Sequence, residues 1–384
     1  MRLVPLLLLA ALPAAAATFK VTLLMPADDP RLERSRLDLA VLGHAGGPAS
    51  EAIQIALADA RFELDAAGAK IELSAVSVAD AAAARNAAAA ADKAGAAAIL
   101  ADIPAAWLLA AADAAPKLPL LNISDTSDAL RQADCRRNLF HIALSERMRT
   151  DALAQTLTAR KWTNVLLLTG PAPEDPQRSA VAQASIKRYG LKLAGSKPFK
   201  LSADPRERDL ANPLLLTSSA SSSYDVVWVV DSDGEFAQSL PYRTALPRPV
   251  VGDGGLVPLG WSDRFERYGA PQVSRRMVKN ARRAMTAQDW AAWMAGKAVV
   301  AAAVAAPKGP NAAFASALAQ VEVDGSKGVS MSFRPWDGQL RQPVLLSDGQ
   351  SVISMAPIEG LLHPKNNLDT LGADAPEKLC KARQ

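Results

Sequence analysis

The chain is poor in cysteine, histidine and long apolar runs. Of its 384 residues only Cys135 and Cys380 are cysteine, and only His44, His141 and His363 are histidine. No C-x-x-C is present, which excludes a thioredoxin-like redox centre and a cysteine zinc site. The histidines are too scattered to make a metal-ligand spacing, and His141 sits in an apolar run, where a satisfied core residue is the commoner reading. There is no G-x-S-x-G, no Walker loop and no H-E-x-x-H, so no catalytic motif of those types is signalled and an enzyme is not expected. Asp231 and Asp233 in "VVDSDGE" resemble part of a calcium loop but lack its other ligands and closing glutamate. Charge of one sign is also missing: 43 Lys and Arg against 39 Asp and Glu leave a formal +4. So small an excess over so long a chain does not argue for nucleic acid. It is compatible with an anionic small ligand.

The one marked apolar run is N-terminal. "MRLVPLLLLAALPAAAATFK" carries Arg2, an apolar stretch from Leu3 to Leu12 and an Ala-x-Ala site at Ala15 to Ala17. That pattern predicts a secretory signal over 1–17, too short to anchor in a bilayer. Ala-rich "AVVAAAVAAP" fits a buried helix better than a membrane span. A periplasmic location with no transmembrane segment is therefore expected. In an oxidising compartment, Cys135 and Cys380 are most economically one disulfide, with two free thiols as the alternative.

What is present in quantity is alternation. "TFKVTLLMPAD", "KIELSAVSV", "AAILADI" and "LPLLNIS" read as strands, separated by helical stretches such as "ADAAAARNAAAAADKAGA". Strand and helix in strict succession predict a mainly parallel sheet covered on both faces. The rhythm restarts near Cys135. "NLFHIAL" precedes a helix opened by Ser145, "TNVLLLTG" precedes a helix ending on Gly190, and "YDVVWVVDS" and "RPVVGDGG" follow. A long helix spans 286–306. No disordered linker separates the two α/β units, so two lobes are expected rather than two independent domains.

"GGPASEAIQIALADARFELDAAGAKIEL", "LPLLNIS" with "DTSDAL" and "NLFHIALSERMRTDALAQTL", and "GVSMSFRPWDGQLRQPVLL" resemble the periplasmic solute-binding proteins of the branched-chain amino-acid (type I) family. "FRPWDGQLRQP", "GLVPLGWSDRFERYGAPQ" and "NNLDTLGADAPEKLC" look closest to the branch associated with pyrroloquinoline-quinone-dependent alcohol dehydrogenase systems. The resemblance implies a two-lobed α/β fold with three hinge crossings. Residues 18–143 and 285–330 would form lobe 1, and 144–284 and 331–384 lobe 2. It implies a monomer that is not an enzyme and needs no cofactor of its own. Such a protein would carry pyrroloquinoline quinone or a related anionic aromatic, and would serve an ABC permease or a periplasmic dehydrogenase system. Amino acids, small carboxylates and a sensor role are the alternatives.

A ligand in such a fold meets loops at the carboxyl ends of strands and the helix starts that follow. Four places qualify. Trp107 in "ADIPAAWLL" stands where amino-acid binders of the family usually carry small hydroxylated residues, and its ring could stack on a planar ligand or pack on a neighbouring helix. Ser124, Thr126 and Ser127 follow the fourth strand, beside Asp125 and Asp128, which read as helix caps. Arg178 could fork onto a carboxylate or lie on a solvated helix face. Arg282, Arg283 and Trp290 flank the start of the long helix, where Trp290 and Trp293 share a face and could be core. Trp261 is a further candidate, expected on a second-lobe loop. "SFRPWDGQLRQPVLL" is expected to be a second-lobe hairpin turning at Asp337-Gly338, with the direction faced by Trp336 left open.

Overall fold

The structure, a computed structural model, describes residues 16–218, 223–306 and 311–384. The expected leader, 1–17, falls almost wholly outside the described residues. The first lobe is built from β1 (Ala17–Pro26), α1 (Arg34–Leu39), α2 (Ala49–Asp59), α3 (Arg61–Ala67), β2 (Ala69–Val78), α4 (Ala81–Lys93), β3 (Ala98–Ala101), α5 (Ala105–Ala114), β4 (Leu120–Asn122) and β5 (Leu139–His141). Its strands are all parallel, in the order β2-β1-β3-β4-β5.

The second lobe repeats the plan with α6 (Glu146–Ala159), β6 (Asn164–Thr169), α7 (Asp175–Arg188), β7 (Lys192–Pro198), α8 (Pro213–Thr217), β8 (Val226–Val230), α9 (Glu235–Ser239) and β9 (Val250–Gly252). Its parallel order is β7-β6-β8-β9. After β10 (Val257–Leu259) come α10 (Ala270–Ala281), α11 (Ala287–Ala305), α12 (Asn311–Ala319), β11 (Glu322–Asp324), β12 (Ser330–Ser332), β13 (Val344–Ser347) and β14 (Val352–Ala356). β10, β13 and β14 form a small antiparallel sheet against α6. Among the described residues no helix is long and apolar enough to cross a membrane.

The lobes form because each sheet has two apolar faces and covers both. In the first lobe, Val21 and Leu23 face a core shared with α2 and α11, while Leu24 and Ile99 face α4 and α5. The alanines of α4 serve this packing: Ala84, Ala88 and Ala91 recur on one buried face and let α5 approach closely. Asp80 caps α4 by accepting from the Ala83 N–H at 2.7 Å, and Ser145 caps α6 by accepting from Met148. The two-lobed α/β architecture is the one expected from the alternation.

Several local expectations differ from the structure. The first long helical stretch breaks at Ala60 into α2 and α3. "LKLAGSKP" carries an edge strand, β7, whose polar faces conceal it from a periodicity reading. Helix α10 lies in the stretch 144–284 assigned to the second lobe, but its stripe Ala270, Val273 and Met277 joins the first-lobe core, and Arg276 pairs with Asp59 of α2 at 2.8 Å. Trp261 and Phe265 belong to that same core, so the chain returns to the first lobe soon after β10. The "SFRPWDGQ" turn also sits on the first lobe. Gly338 O accepts from the His141 N–H, Leu340 N–H donates to His141 O, and Phe333 packs edge-on to Phe140. The hairpin thus extends the β5 edge, and the last crossing comes at Arg341 to Val344.

Cys135 and Cys380 are disulfide-bonded, as expected, across 245 residues. His141 is a core residue: its Nδ1 meets Asn122 Nδ2 at 3.1 Å, and burial holds its imidazole well below the ordinary range.

Candidate functional site

In both sheets the second strand lies outside the first and the third on its other side. The crevice at such a switch point opens beyond the carboxyl ends of the strands. The two crevices face one another across a cavity of about 490 Å³. From the first lobe, Ser124 and Thr126 project after β4, and Ala287, Gln288 and Trp290 line it from the start of α11. From the second lobe come Glu174 before α7, Ser232 and Asp233 after β8, and Arg149 of α6. Ile142, Leu144 and Leu259 give the floor an aliphatic surface.

Most of its charged side chains are already paired. Arg31 forks onto Asp29 and reaches Asp102 at 2.9 Å; Asp102 in turn accepts from Gln288 Nε2. Burial opposes that guanidinium's charge, but Asp29 and Asp102 more than offset it and hold its pKa above the ordinary arginine value. Arg149 bonds Glu146 at 3.1 Å and Asp253 at 3.2 Å. Burial alone would raise the Asp253 carboxyl, yet the charges of Arg178 and Arg149 hold it below the usual range. Glu174 has no ion-pair partner among the described residues.

Unpartnered polar groups remain. No hydrogen bond from the described protein engages the hydroxyls of Ser124 and Thr126, the ring of His44, or the backbone N–H groups of Ala287 and Gln288. The α11 start is held open by a capping box between Thr286 and Asp289. Its free N–H groups carry the positive end of a 19-residue helix dipole. His44 is half-buried beside the cleft, and burial lowers its pKa, which keeps it a neutral donor and acceptor at neutral pH.

Of the residues singled out from the sequence, Ser124, Thr126 and Trp290 line the cleft. The others do not. Trp107 is half-buried against the α4–α5 core. Ser127 donates its N–H to Asp125 and lends its carbonyl to Arg131. Asp125 and Asp128 accept from the first turns of α5 and α6 respectively, so both cap helices. Arg178 lies behind the second-lobe wall, bonded to Asp253 at 2.8 Å and Ser232 at 2.9 Å. Arg282 is exposed, in left-handed conformation at the end of α10. Arg283 clamps Asp289 and Glu51, and it rests on Gly47 so closely that a Cβ there would lie 2.6 Å from its Cζ.

The tryptophans are walls rather than platforms. Trp261 is 1% exposed and stacks on Trp290, centroids 6.3 Å apart and planes at 12°. Trp290 is also 1% exposed, donates Nε1–H to Gly325 O and carries Lys327 over its ring. Neither offers a free face for stacking. Trp336 lies between Arg334 and Arg341 and donates to Ala373 O, away from the cavity. The expectation of an aromatic stacking pocket is therefore corrected to an aliphatic floor with polar ends.

Sequence reading missed His44, Arg31, Arg149, Glu174, Ser232 and Gln342. Ser232 and Glu174 were findable from their places past β8 and before α7, at strand ends. The others were not, since their positions depend on where distant segments meet.

A strap between β1 and α2 crosses from the first lobe onto the second. Arg36 Nη2 meets Asp233 Oδ1 at 2.8 Å, and Gln238 Nε2 donates to Leu39 O. Val41 packs on Gly234, whose φ of +79° favours glycine and whose Cβ would strike Val41 at 2.6 Å. The ion pair is solvent-exposed, so Arg36→Ala should cost only about 0.2–1 kcal/mol of interlobe affinity. The expected readout is a larger radius of gyration by small-angle scattering at an unchanged unfolding midpoint.

No protein-family model matches the chain, and no curated protein matches it. Solved structures share its fold. A branched chain amino acid ABC transporter periplasmic ligand-binding protein from Burkholderia xenovorans LB400 gives a TM-score of 0.75 at 14% identity, covering 95% of this chain and 100% of that one. A solute binding protein of an ABC transporter from Rhodopseudomonas palustris BisB5, in complex with 3,4-dihydroxy benzoic acid, gives 0.65 at 15% identity over 88% and 97%. A leucine-, isoleucine-, valine-, threonine- and alanine-binding protein from Brucella ovis, in a closed conformation, gives 0.67 at 14% over 86% and 89%. The chain has the two-lobed periplasmic-binding-protein fold.

Proposed function

We propose that this protein is a non-enzymatic solute-binding protein. It captures a small carboxylate with an apolar or aromatic body between its lobes and presents it to an ABC permease in the periplasm. The carrying observation is the set of free donors on one wall, Ser124, Thr126 and the α11 start, above an aliphatic floor. The donors suit a carboxylate and the floor suits its body. The Rhodopseudomonas palustris neighbour bound to 3,4-dihydroxy benzoic acid supports this class of ligand. Closure is stabilised by ligand contacts to both lobes.

Pyrroloquinoline quinone is the specific candidate, resting on the branch resemblance together with a cleft of about 490 Å³. In that reading the protein works beside a quinone-dependent alcohol dehydrogenase system, as a monomer. The ring would lie on Ile142, Leu144 and Leu259 rather than on tryptophan. A second reading, an amino-acid ligand, is favoured by Glu174, which has no ion-pair partner among the described residues and could accept an ammonium group.

Thermal-shift and fluorescence titrations with pyrroloquinoline quinone, 3,4-dihydroxybenzoate and leucine separate these readings. Stabilisation by leucine alone sinks the aromatic acid. Ser124→Ala and Thr126→Val should each weaken carboxylate binding about tenfold, one hydrogen bond's worth, without moving the ligand-free unfolding midpoint.

A further inference from the structure

Lys327 is the least expected residue near the cleft. It is 1% exposed, and no carboxylate pairs with it among the described residues. Its Nζ donates to Gln342 Oε1 at 3.0 Å and to Pro343 O at 3.1 Å, and lies 3.6 Å from the Trp290 ring centroid. Gln342 and Trp290 both line the cleft. The amine therefore stands one side chain behind the wall. Gln342 is itself fixed by its donation to Ile142 O at 2.6 Å.

We propose that Lys327 is the buried counter-charge for an anionic ligand, and that filling the cleft with a carboxylate is coupled to proton uptake on this amine. The inference rests on the binding function proposed above.

Its geometry accepts both charge states. A neutral amine has two N–H donors, which the Gln342 and Pro343 oxygens take up. The third N–H of an ammonium points to the indole face, where a cation is favoured. Neither state requires rearrangement. Burial alone pushes the amine well below the ordinary lysine range. Among the described residues no charged group offsets that burial. Glu322 and Asp324 on β11 are exposed, and Lys297 on α11 is turned to the Asp324 carbonyl. A methionine would fill the space without the desolvation cost, so an amine here calls for a use. A ligand carboxylate across the wall supplies the missing negative charge, in a medium where charges are poorly screened. By linkage, whatever favours the ammonium on binding makes binding draw a proton from solvent.

Calorimetric titration of the mature full-length chain tests this. The probes are 3,4-dihydroxybenzoate, pyrroloquinoline quinone and leucine, each in phosphate and in Tris at neutral pH. For a probe that binds, the apparent enthalpy should differ between buffers in the sense of uptake, about 0.3 proton or more per ligand. Lys327→Met should bind carboxylates at least tenfold more weakly with no uptake, while His44→Gln should keep the uptake. Binding without buffer dependence in the wild type, or uptake that survives Lys327→Met, overturns the inference and leaves the binding function standing. Failure of all three probes to bind removes the binding function, and the inference with it.

Discussion

Arg334→Met should lower the unfolding free energy by about 3–5 kcal/mol, the range for removing one partner of a buried charged network. Arg334 is 1% exposed and holds the C-terminal tail in several ways. Its Nε donates to Asp369 at 2.9 Å, and its Nη2 donates to the carbonyls of Leu368 and Leu371 at 2.7 and 2.8 Å. Losing it strands the buried Leu371 carbonyl, leaves Leu368 O with only a 3.4 Å bond from the Leu371 N–H, and removes half of the Asp369 pairing. Arg341, also 2.9 Å from Asp369, keeps that carboxylate from being wholly unpaired. Arg334→Lys should recover little, because an ammonium cannot copy the guanidinium fork. Equilibrium denaturation in urea measures the effect. A loss below about 1 kcal/mol would mean the tail is held by something else. The arginines and tryptophan of "FRPWDGQLR" thus grip the protein's own tail rather than a ligand.

Replacing Cys135 and Cys380 together with serine should cost up to about 5 kcal/mol. The bond closes a loop of 245 residues, and the entropy removed from the unfolded chain grows slowly with loop length. The comparison is oxidised wild type against the double variant in denaturant, with reduced wild type as a third arm. Reduced wild type and the double variant should agree. If oxidised and reduced protein unfold alike, the bond contributes nothing and the tail is secured by its non-covalent contacts, Arg334 among them.

The fold was largely legible because parallel strands buried on both faces read as apolar runs, and helices between them as alanine-rich periodic stretches. β7 was hidden because an edge strand has little reason to be apolar. Helix α10 advertised a stripe through Ala270, Val273 and Met277, but a stripe does not say which lobe it meets. The site was half legible. Ser124 and Thr126 could be read from their place after a strand end. Trp290 could be placed near the cleft but not oriented, since the groups covering its ring, Lys327 and Trp261, lie far away in sequence. Arg178 and Arg283 misled for the same reason: an arginine near a strand end or helix start binds a ligand only if no carboxylate of the chain reaches it first. Here Asp253, Glu51 and Asp289 do.

The tail crosses back between the lobes. Gly372 N–H donates to Asp151 of α6 in the second lobe at 3.0 Å, and Thr370 accepts from Gln155 of the same helix. A few residues on, Cys380 is bonded to Cys135 in the first lobe. The tail is therefore a fourth tether beside the chain crossings, covalently closed at its far end. Each added tether between two bodies removes directions in which one can move against the other. Cutting the disulfide should therefore free the lobes to move in directions that the closed tail denies them.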